Sequence, residues 1–179
     1  NVEGSSLDKK MTNEELQIIE DAGLKVFPIF QTYGGEASYF TRRQGQKDAD
    51  SAKEAAQSFC FPPNSIIYFA VDYDALTADI TSNIIPYFRG INEEMGASYK
   101  IAIYGPRAVC NSLISYSLAI WSFVSDMSSG FTGNIGVIMP SNWAYDQFFE
   151  TTAGGIGIDK CVASERKTAI SPSEFITYN

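Results

Sequence analysis

The feature that most constrains the fold is the run at residues 66–71, in which six consecutive residues are apolar or aromatic. Such a run, rich in β-branched and ring side chains, is typical of a strand buried on both faces in a parallel sheet. Two carboxylates, Asp72 and Asp74, follow it directly. Because side chains alternate along a strand, the pattern predicts that both acids share one face at the strand's carboxyl end, where parallel α/β folds place their active sites.

The remaining sequence alternates between strand-like and helix-like segments. Helices are predicted at residues 12–22, 46–59, 77–95 and 107–116. Strands are predicted at residues 24–31, 66–74, 99–104, 118–124, 143–149 and 154–159, with a further short strand at 134–139. This alternation is typical of βαβ units in a mostly parallel sheet. We therefore expect one domain over residues 1–179, an α/β fold with five or six strands of a (β/α) TIM-type barrel, and one or two missing strands before Asn1.

Two prolines and a capping pattern refine these elements. Pro28 removes a ladder hydrogen bond, so the pairing of the first strand should be interrupted there. Pro86 lies inside the third helix and should kink it or start a second helical piece. Thr12 and Glu15 form a capping-box pattern, which predicts where the first helix begins. Gly23 is expected to end that helix.

Composition excludes several classes of function. The formal net charge of −8 makes nucleic acid and anionic membrane surfaces poor partners. Histidine is absent, which excludes Ser-His-Asp and Cys-His catalysis and most zinc sites. No apolar run is long enough to predict insertion into a membrane, and no signal peptide is recognisable. Carboxylates, tyrosines and hydroxyls are therefore left for acid-base chemistry.

The three cysteines, Cys60, Cys110 and Cys161, lie far apart and lack the spacing of metal ligands. An odd, sparse set does not form a disulfide scaffold, so we interpret them as buried thiols. We expect the protein to need neither a metal nor a cofactor.

An Asp-x-Asp sequence after an apolar strand fits several functions. The two acids could cleave a glycosidic bond, which needs a proton donor and a second carboxylate. Aspartate-dependent phosphotransfer enzymes also use Asp-x-Asp, but their pattern has a threonine where this chain has Leu76. A glycosyltransferase could hold a metal with such a pair, yet no phosphate-binding glycine loop is visible. Both acids could also be solvated residues or helix caps before Thr77.

Five blocks in order resemble a bacterial glycoside-hydrolase-like domain that is related to the family 25 glycoside hydrolases, the muramidases. The blocks are VFPIFQTY at 26–33, QGQKDADSAKEAAQSF at 44–59, IIYFAVDYD at 66–74, YKIAIYGP at 99–106 and WAYDQF at 143–148. The resemblance covers roughly residues 1–165. It implies a barrel that hydrolyses a bacterial cell-wall glycan such as peptidoglycan, or a non-catalytic barrel that only binds it. It also implies an extracellular or cell-wall location.

In the muramidases the catalytic pair is an Asp-x-Glu sequence at the end of a central barrel strand, and Asp72 and Asp74 occupy that position here. The resemblance implies Asp74 as proton donor and Asp72 as the assisting carboxylate, although Asp74 is one methylene shorter than the glutamate. The muramidases' first barrel strand, which carries another acid, has no counterpart in this chain. The resemblance also implies substrate-binding roles for Tyr104, Trp121, Asp146 and Asp159. Gln31 is a further candidate because it closes a predicted strand.

Overall fold

The computed structural model describes residues 9–166 and 168–175. The helices are α1 (Asn13–Asp21), α2 (Arg42–Ser58), α3 (Thr77–Asp79), α4 (Ile85–Met95) and α5 (Arg107–Ser115), with a π-helical turn at Ile80–Ile84 that joins α3 to α4 and 3-10 turns at Ala37–Tyr39 and Pro172–Glu174. The strands are β1 (Ile29–Phe30), β2 (Ile66–Ala70), β3 (Lys100–Gly105), β4 (Ser122–Val124), β5 (Trp143–Ala153) and β6 (Ile156–Ala163).

The six strands form one sheet in the order of the chain. The pairs from β1 to β5 are parallel, whereas β6 folds back on β5 as an antiparallel hairpin. The sheet curls strongly. The curl is evident from Phe27, just before β1, which stacks on Tyr145 of β5 with ring centroids 4.2 Å apart. The expected α/β architecture is confirmed in this form, a curled six-stranded half-barrel. Residues 134–136 lie in a turn and residues 137–139 are irregular, so the short strand that we expected at 134–139 does not form.

The two faces of the curled sheet have different cores. The outer face packs against the helices through a large apolar core that includes Phe69, Val71 and Phe88. The inner face holds a smaller aromatic cluster built on Tyr68 and Phe123. Because these inner side chains fill the space that the sheet encloses, the half-barrel is a packed core and not a pore.

The segment after β6 covers the open side of the half-barrel. Ile170 pairs with Val26 in an isolated antiparallel bridge. The Thr168 hydroxyl lies 3.0 Å from the Tyr68 hydroxyl, and the Thr168 backbone N–H donates to the Tyr145 hydroxyl at 2.7 Å. Through these hydrogen bonds, the inner tyrosines of β2 and β5 both hold the segment after β6 against the sheet.

The local signals read from the sequence are largely confirmed. Thr12 and Glu15 form the capping box of α1, and Gly23 follows it with a positive φ of 67°. Pro28 precedes the short β1. Proline has no backbone N–H, so it contributes only its carbonyl to the pairing with β2, where it accepts a hydrogen bond from the Tyr68 N–H. Pro86 follows the π-helical turn and lies in the first turn of α4. Within the described residues, no helix is both long and apolar enough to cross a membrane.

Candidate functional site

Polar side chains meet where β1 and β2 end. Gln31 follows β1, and its amide donates to Asp72 Oδ2 at 3.3 Å. Asp72 follows β2 and is exposed. Tyr68 faces the inner cluster, so the alternation of side chains places Asp72 on the same inner side, two positions beyond the strand. We call this opening, at the carboxyl ends of the strands, the mouth of the half-barrel.

A second hydrogen-bonded chain crosses the mouth from β3 to β6. The Tyr104 hydroxyl donates to Gln147 Oε1 at 2.7 Å, and the Gln147 amide donates to Asp159 Oδ2 at 2.8 Å. Burial, and then the charges of Asp72 and Asp159, raise the pKa of Tyr104 well above its ordinary value. Its phenol therefore remains a hydrogen-bond donor at any physiological pH. Tyr104 pairs with Ala70 at the end of β2, two positions before Asp72, so the two hydrogen-bonded groups belong to one mouth.

Asp74 has different surroundings from Asp72. Strand β2 ends at Ala70, so the side-chain alternation that predicted a shared face does not extend reliably to Asp74. The Thr132 hydroxyl donates to Asp74 Oδ2 at 2.9 Å. Asp74 Oδ1 is buried and has no hydrogen-bond partner among the described residues. Thr132 also lines a mainly apolar cleft of about 400 Å³ between the loops that follow β2 and β4.

Asp146 lies in a separate charged cluster. It is 9% exposed and precedes Gln147 on β5, so alternation turns it away from the mouth. Its Oδ1 is buried without a hydrogen-bond partner among the described residues, and the Arg107 guanidinium forms an ion pair with the nearby Asp126. Burial, and then the charge of Asp126, raise the pKa of Asp146 to about 6, against an opposing effect of Arg107. The structure thus places Asp146 behind the loop that follows β4.

The structure does not bring Trp121 to the mouth. Trp121 precedes β4, and the register pairs the next residue, Ser122, with Ile103. Trp121 is therefore level with Ala102 in the middle of β3 and packs against the inner aromatic cluster, where the Arg166 guanidinium lies 5.7 Å from its ring centroid. We expected the whole segment 118–124 to be a strand, but only Ser122–Val124 is paired as one. The binding role of Trp121 stays a prediction without support from its position.

The cysteines are only partly as expected. Cys110 is buried, whereas Cys60 and Cys161 are exposed. Cys161 lies on β6 opposite Gln147. Although the residue as a whole is exposed, its thiol group is partly buried, and this burial, followed by the charge of Asp159, raises the pKa of the thiol to about 11. Such a thiol stays protonated at neutral pH and is a poor nucleophile. In the described part of the chain, no three Cys, Asp or Glu side chains are grouped so as to hold a metal ion.

Two residues of the site were not among the predicted ones. Gln147 was passed over for its neighbour Asp146, although the buried Tyr145 two positions earlier predicts which face of β5 points inward. Thr132 lies in a loop, and nothing in the local sequence relates it to Asp74, 58 positions away. Strand periodicity could have found the first of these residues, and no sequence signal could have found the second.

The cluster around Asp146 predicts a pH-dependent stability. A folded-state pKa of about 6, above the ordinary 3.8, means that the folded protein holds this proton more tightly than the unfolded chain. The associated stabilisation is complete below the ordinary pKa and is lost as the pH rises through 6. We expect Asp146→Asn to change the free energy of unfolding little at pH 4 and to raise it by about 2–3 kcal/mol at pH 8.

Urea unfolding of both proteins across this pH range measures the difference. The exposed Glu54 provides a matched control, since Glu54→Gln should change stability equally at both ends of the range. A constant offset between Asp146→Asn and the wild type from pH 4 to pH 8 would contradict the prediction.

Comparison with known proteins places the chain among related sequences. The family model described as "Rv2525c-like, glycoside hydrolase-like domain" matches residues 1–165, which confirms the resemblance drawn from the five blocks. The uncharacterized protein FadG of Bacillus subtilis (strain 168) is 51% identical over 172 residues, covering 92% of this chain and 30% of FadG. The uncharacterized protein YbfG of the same organism is 47% identical over 169 residues, covering 88% of this chain and 23% of YbfG. The chain thus spans less than a third of these relatives.

Solved structures share the fold at low sequence identity. The Tat-secreted protein Rv2525c of Mycobacterium tuberculosis in complex with HEPES superposes with a TM-score of 0.79 at 17% identity, over 93% of this chain and 82% of that chain. An uncharacterized B. stearothermophilus protein gives a TM-score of 0.66 at 16% identity, over 92% of this chain and 81% of that chain. At these identities the likeness establishes the fold alone.

Proposed function

Because the chain belongs to the Rv2525c-like, glycoside hydrolase-like domain family, we propose that it hydrolyses a glycan of the bacterial cell wall at the mouth of the half-barrel. The observation that carries the proposal is the hydrogen-bonded set of Gln31, Asp72, Tyr104, Gln147 and Asp159 around that mouth. The curled sheet supports the interpretation of the domain as a (β/α) barrel of the TIM type, in which substrates bind at the carboxyl ends of the strands.

The chemistry of the mouth suits sugar hydroxyl groups. Asp72 and Asp159 accept hydrogen bonds, while the amides of Gln31 and Gln147 can both donate and accept. A glycan hydroxyl can do the same, so it can replace a water molecule at any of these positions. The carboxylates of Asp72, Asp74 and Asp159 receive hydrogen bonds from neutral groups, namely Gln31, Thr132 and Gln147. A neutral or amine-bearing glycan is therefore a better ligand than a highly anionic one.

The proposed reaction uses the two acids that follow β2. Asp74 donates a proton to the leaving oxygen as the glycosidic bond breaks. Asp72 is the carboxylate that stabilises the positive charge developing on the sugar ring or assists the attack of water on the anomeric carbon. The Thr132 hydroxyl holds Oδ2 of Asp74. Oδ1 is buried in the free protein, so the proposed proton transfer requires the bound glycan to open the loop and expose this oxygen. Exposure of Asp72 allows the sugar to reach it directly. No step requires a metal or a cofactor.

A second candidate function is glycan binding without turnover. It is favoured by the different surroundings of the two acids, since Asp72 contacts Gln31 whereas Asp74 contacts Thr132 in another loop. If Asp74 stays in that hydrogen bond when a sugar binds, the mouth recognises the glycan but has no proton donor. Both functions fit an exported protein, and the Tat-secreted Rv2525c supports export as the location of this one.

Two measurements on each protein test the proposal. Isothermal titration calorimetry with peptidoglycan fragments and chitin-type oligomers measures binding, and release of reducing ends measures hydrolysis. We expect Asp74→Asn to slow release at least tenfold while binding persists, since it removes a general acid. We expect Asp72→Asn to reduce both binding and release, whereas Glu54→Gln should reduce neither.

The outcomes separate the two functions. Binding that Asp72→Asn weakens, without any release of reducing ends, would replace hydrolysis by the binding function. An absence of both binding and release with every glycan would overturn the proposal altogether.

A further inference from the structure

Two exposed aromatic residues lie close in the chain to the amides of the mouth, one on the β1 side and one on the β5 side. Tyr33 comes two residues after Gln31 and is 42% exposed, and Phe148 directly follows Gln147 and is 51% exposed. Single exposed apolar side chains are common on protein surfaces. These two differ from the ordinary case because each lies next to an amide that hydrogen-bonds a carboxylate of the mouth.

The ring of Tyr33 is held in place although it is exposed. It packs edge-on against Tyr39, with ring centroids 5.6 Å apart, and the Tyr39 hydroxyl donates to the buried Asp48 at 2.6 Å. The next residue, Gly34, lies so close to the Gln31 amide that an added Cβ would be 3.8 Å from its nitrogen. The contact with Tyr39 restricts the Tyr33 ring, which reduces the entropy that a ligand would lose by ordering it.

Phe148 is displaced from the regular ladder of the hairpin. Gln147 pairs with Cys161 and Phe149 pairs with Lys160, so Phe148 has no partner opposite it and forms a β-bulge. Bulges commonly redirect a side chain beside an active site. The ring of Phe149 differs, because the Lys160 ammonium lies 5.8 Å from its centroid. Of the two neighbouring phenylalanines, only Phe148 is free of the ladder and adjoins the mouth.

We propose that Tyr33 and Phe148 are stacking positions for sugar rings on either side of the carboxylates, so that the ligand is an oligosaccharide and not a single sugar. The proposal rests on the proposed function and adds the length of the ligand to it. The strands that lead to the two rings, β1 and β5, are four strand spacings apart, about 19 Å along the sheet. The curl that stacks Phe27 on Tyr145 turns the two rims towards each other across the mouth.

Stacking is favourable because both the sugar ring and the aromatic ring have an apolar face. The apolar face of a sugar ring packs against an aromatic ring, and this burial stabilises each ring-on-ring contact by about 1 kcal/mol. The polar edge of the sugar remains available to Gln31 and Gln147. An oligosaccharide that reaches both rings gains two such contacts, whereas a disaccharide held at the carboxylates gains neither.

Binding constants for a series of oligomers test this inference. The probe is the set of chitin-type oligomers from dimer to hexamer, titrated into the wild-type chain by calorimetry. We expect affinity to rise with length, and Tyr33→Ala and Phe148→Ala each to weaken hexamer binding about fivefold while dimer binding is unchanged. Tyr33→Phe and Phe148→Tyr should restore the hexamer affinity, and Phe149→Ala is the matched control that should not change it.

The failure of this inference is distinct from the failure of the proposed function. Equal affinity for dimer and hexamer, with dimer binding still weakened by Asp72→Asn, would overturn the stacking positions and leave the proposed function intact. A gain with length that both alanine variants retain would also overturn them. If no oligomer bound at all, both proposals would fall.

Discussion

Replacing Gly90 by alanine should destabilise the protein by about 3 kcal/mol or more, a large effect for one methyl group. A Cβ built at Gly90 on α4 would lie 2.1 Å from the carbonyl oxygen of Arg42 on α2. The reciprocal contact exists at Gly45, where a Cβ would lie 2.0 Å from the carbonyl oxygen of Tyr87. The backbones of α2 and α4 therefore touch, and neither helix can move away without opening the core that they share.

The expected sign is opposite to that of helix propensity. Alanine is favoured over glycine inside an exposed helix by about 1 kcal/mol, so a Gly90→Ala variant that packed normally would be more stable. Urea unfolding provides the measurement, with Gly45→Ala as a second test of the same contact. Gly130→Ala is the control, because a Cβ at Gly130 meets nothing within 4 Å. Equal stability of Gly90→Ala and the wild type would show that the helices do not cross so closely.

This helix crossing also shows how far sequence patterns reach. The small residues of α2 predicted a face that packs closely, and Ala49, Ala52 and Ala56 are indeed buried. Such a face can pack closely against a sheet or against another helix, and here its Gly45 meets α4. A residue pattern describes the shape of one surface. The partner of that surface depends on the three-dimensional path of the chain, which local sequence does not contain.

The candidate site was predictable where local rules decide the geometry. The apolar run of β2 and the acids after it predicted Asp72 at the mouth, since burial and alternation fix that position. The exact ends of strands are set by pairing with neighbours, so β2 stops at Ala70 and Asp74 lies beyond the reach of the same rule. On β5, alternation allows only one of Asp146 and Gln147 to face inward, and we chose the charged residue over the amide.

Contacts over long sequence separation could not be predicted. Thr168 meets the hydroxyl of Tyr68 across 100 positions, in a tail whose own sequence has no hydrophobic period. The Arg107 guanidinium similarly donates to the carbonyl of Val137 at 2.9 Å, holding the loop that carries Thr132. These contacts form because the curl of the barrel brings distant segments together. They can therefore be predicted only once the fold is known.

Asp48→Ala should lower the free energy of unfolding by about 3 kcal/mol, because it leaves several buried donors without an acceptor. Asp48 is 4% exposed. It accepts from the Tyr39 hydroxyl at 2.6 Å, from the Tyr87 hydroxyl at 2.7 Å and from the Gln44 amide at 2.8 Å. Burial is the main reason why the pKa values of Tyr39 and Tyr87 are raised, with the Asp48 charge adding to it. Both phenols therefore remain hydrogen-bond donors at neutral pH.

Asp48→Asn provides the intermediate case. One oxygen of Asp48 accepts from both phenols and the other accepts from Gln44, so an amide must direct N–H groups at one of these donors. We expect the free energy of unfolding of Asp48→Asn to lie between that of the wild type and that of Asp48→Ala. Asp50→Ala on the same helix is the control, since its carboxylate is exposed and its ion pair among the described residues is a long one, with Lys53 at 3.5 Å. A change below 1 kcal/mol for Asp48→Ala would contradict the prediction.

The same substitution links the core to the mouth. Tyr39 packs against Tyr33, and its hydroxyl lies 2.5 Å from that of Thr32, directly after Gln31. Loss of the Asp48 carboxylate should therefore loosen the loop after β1 under conditions in which the chain is still folded. Hydrogen exchange of the amides in residues 31–36 measures this loosening. We expect faster exchange there in Asp48→Ala than in Asp50→Ala, because the buried carboxylate fixes the rim of the mouth through two tyrosine rings in succession.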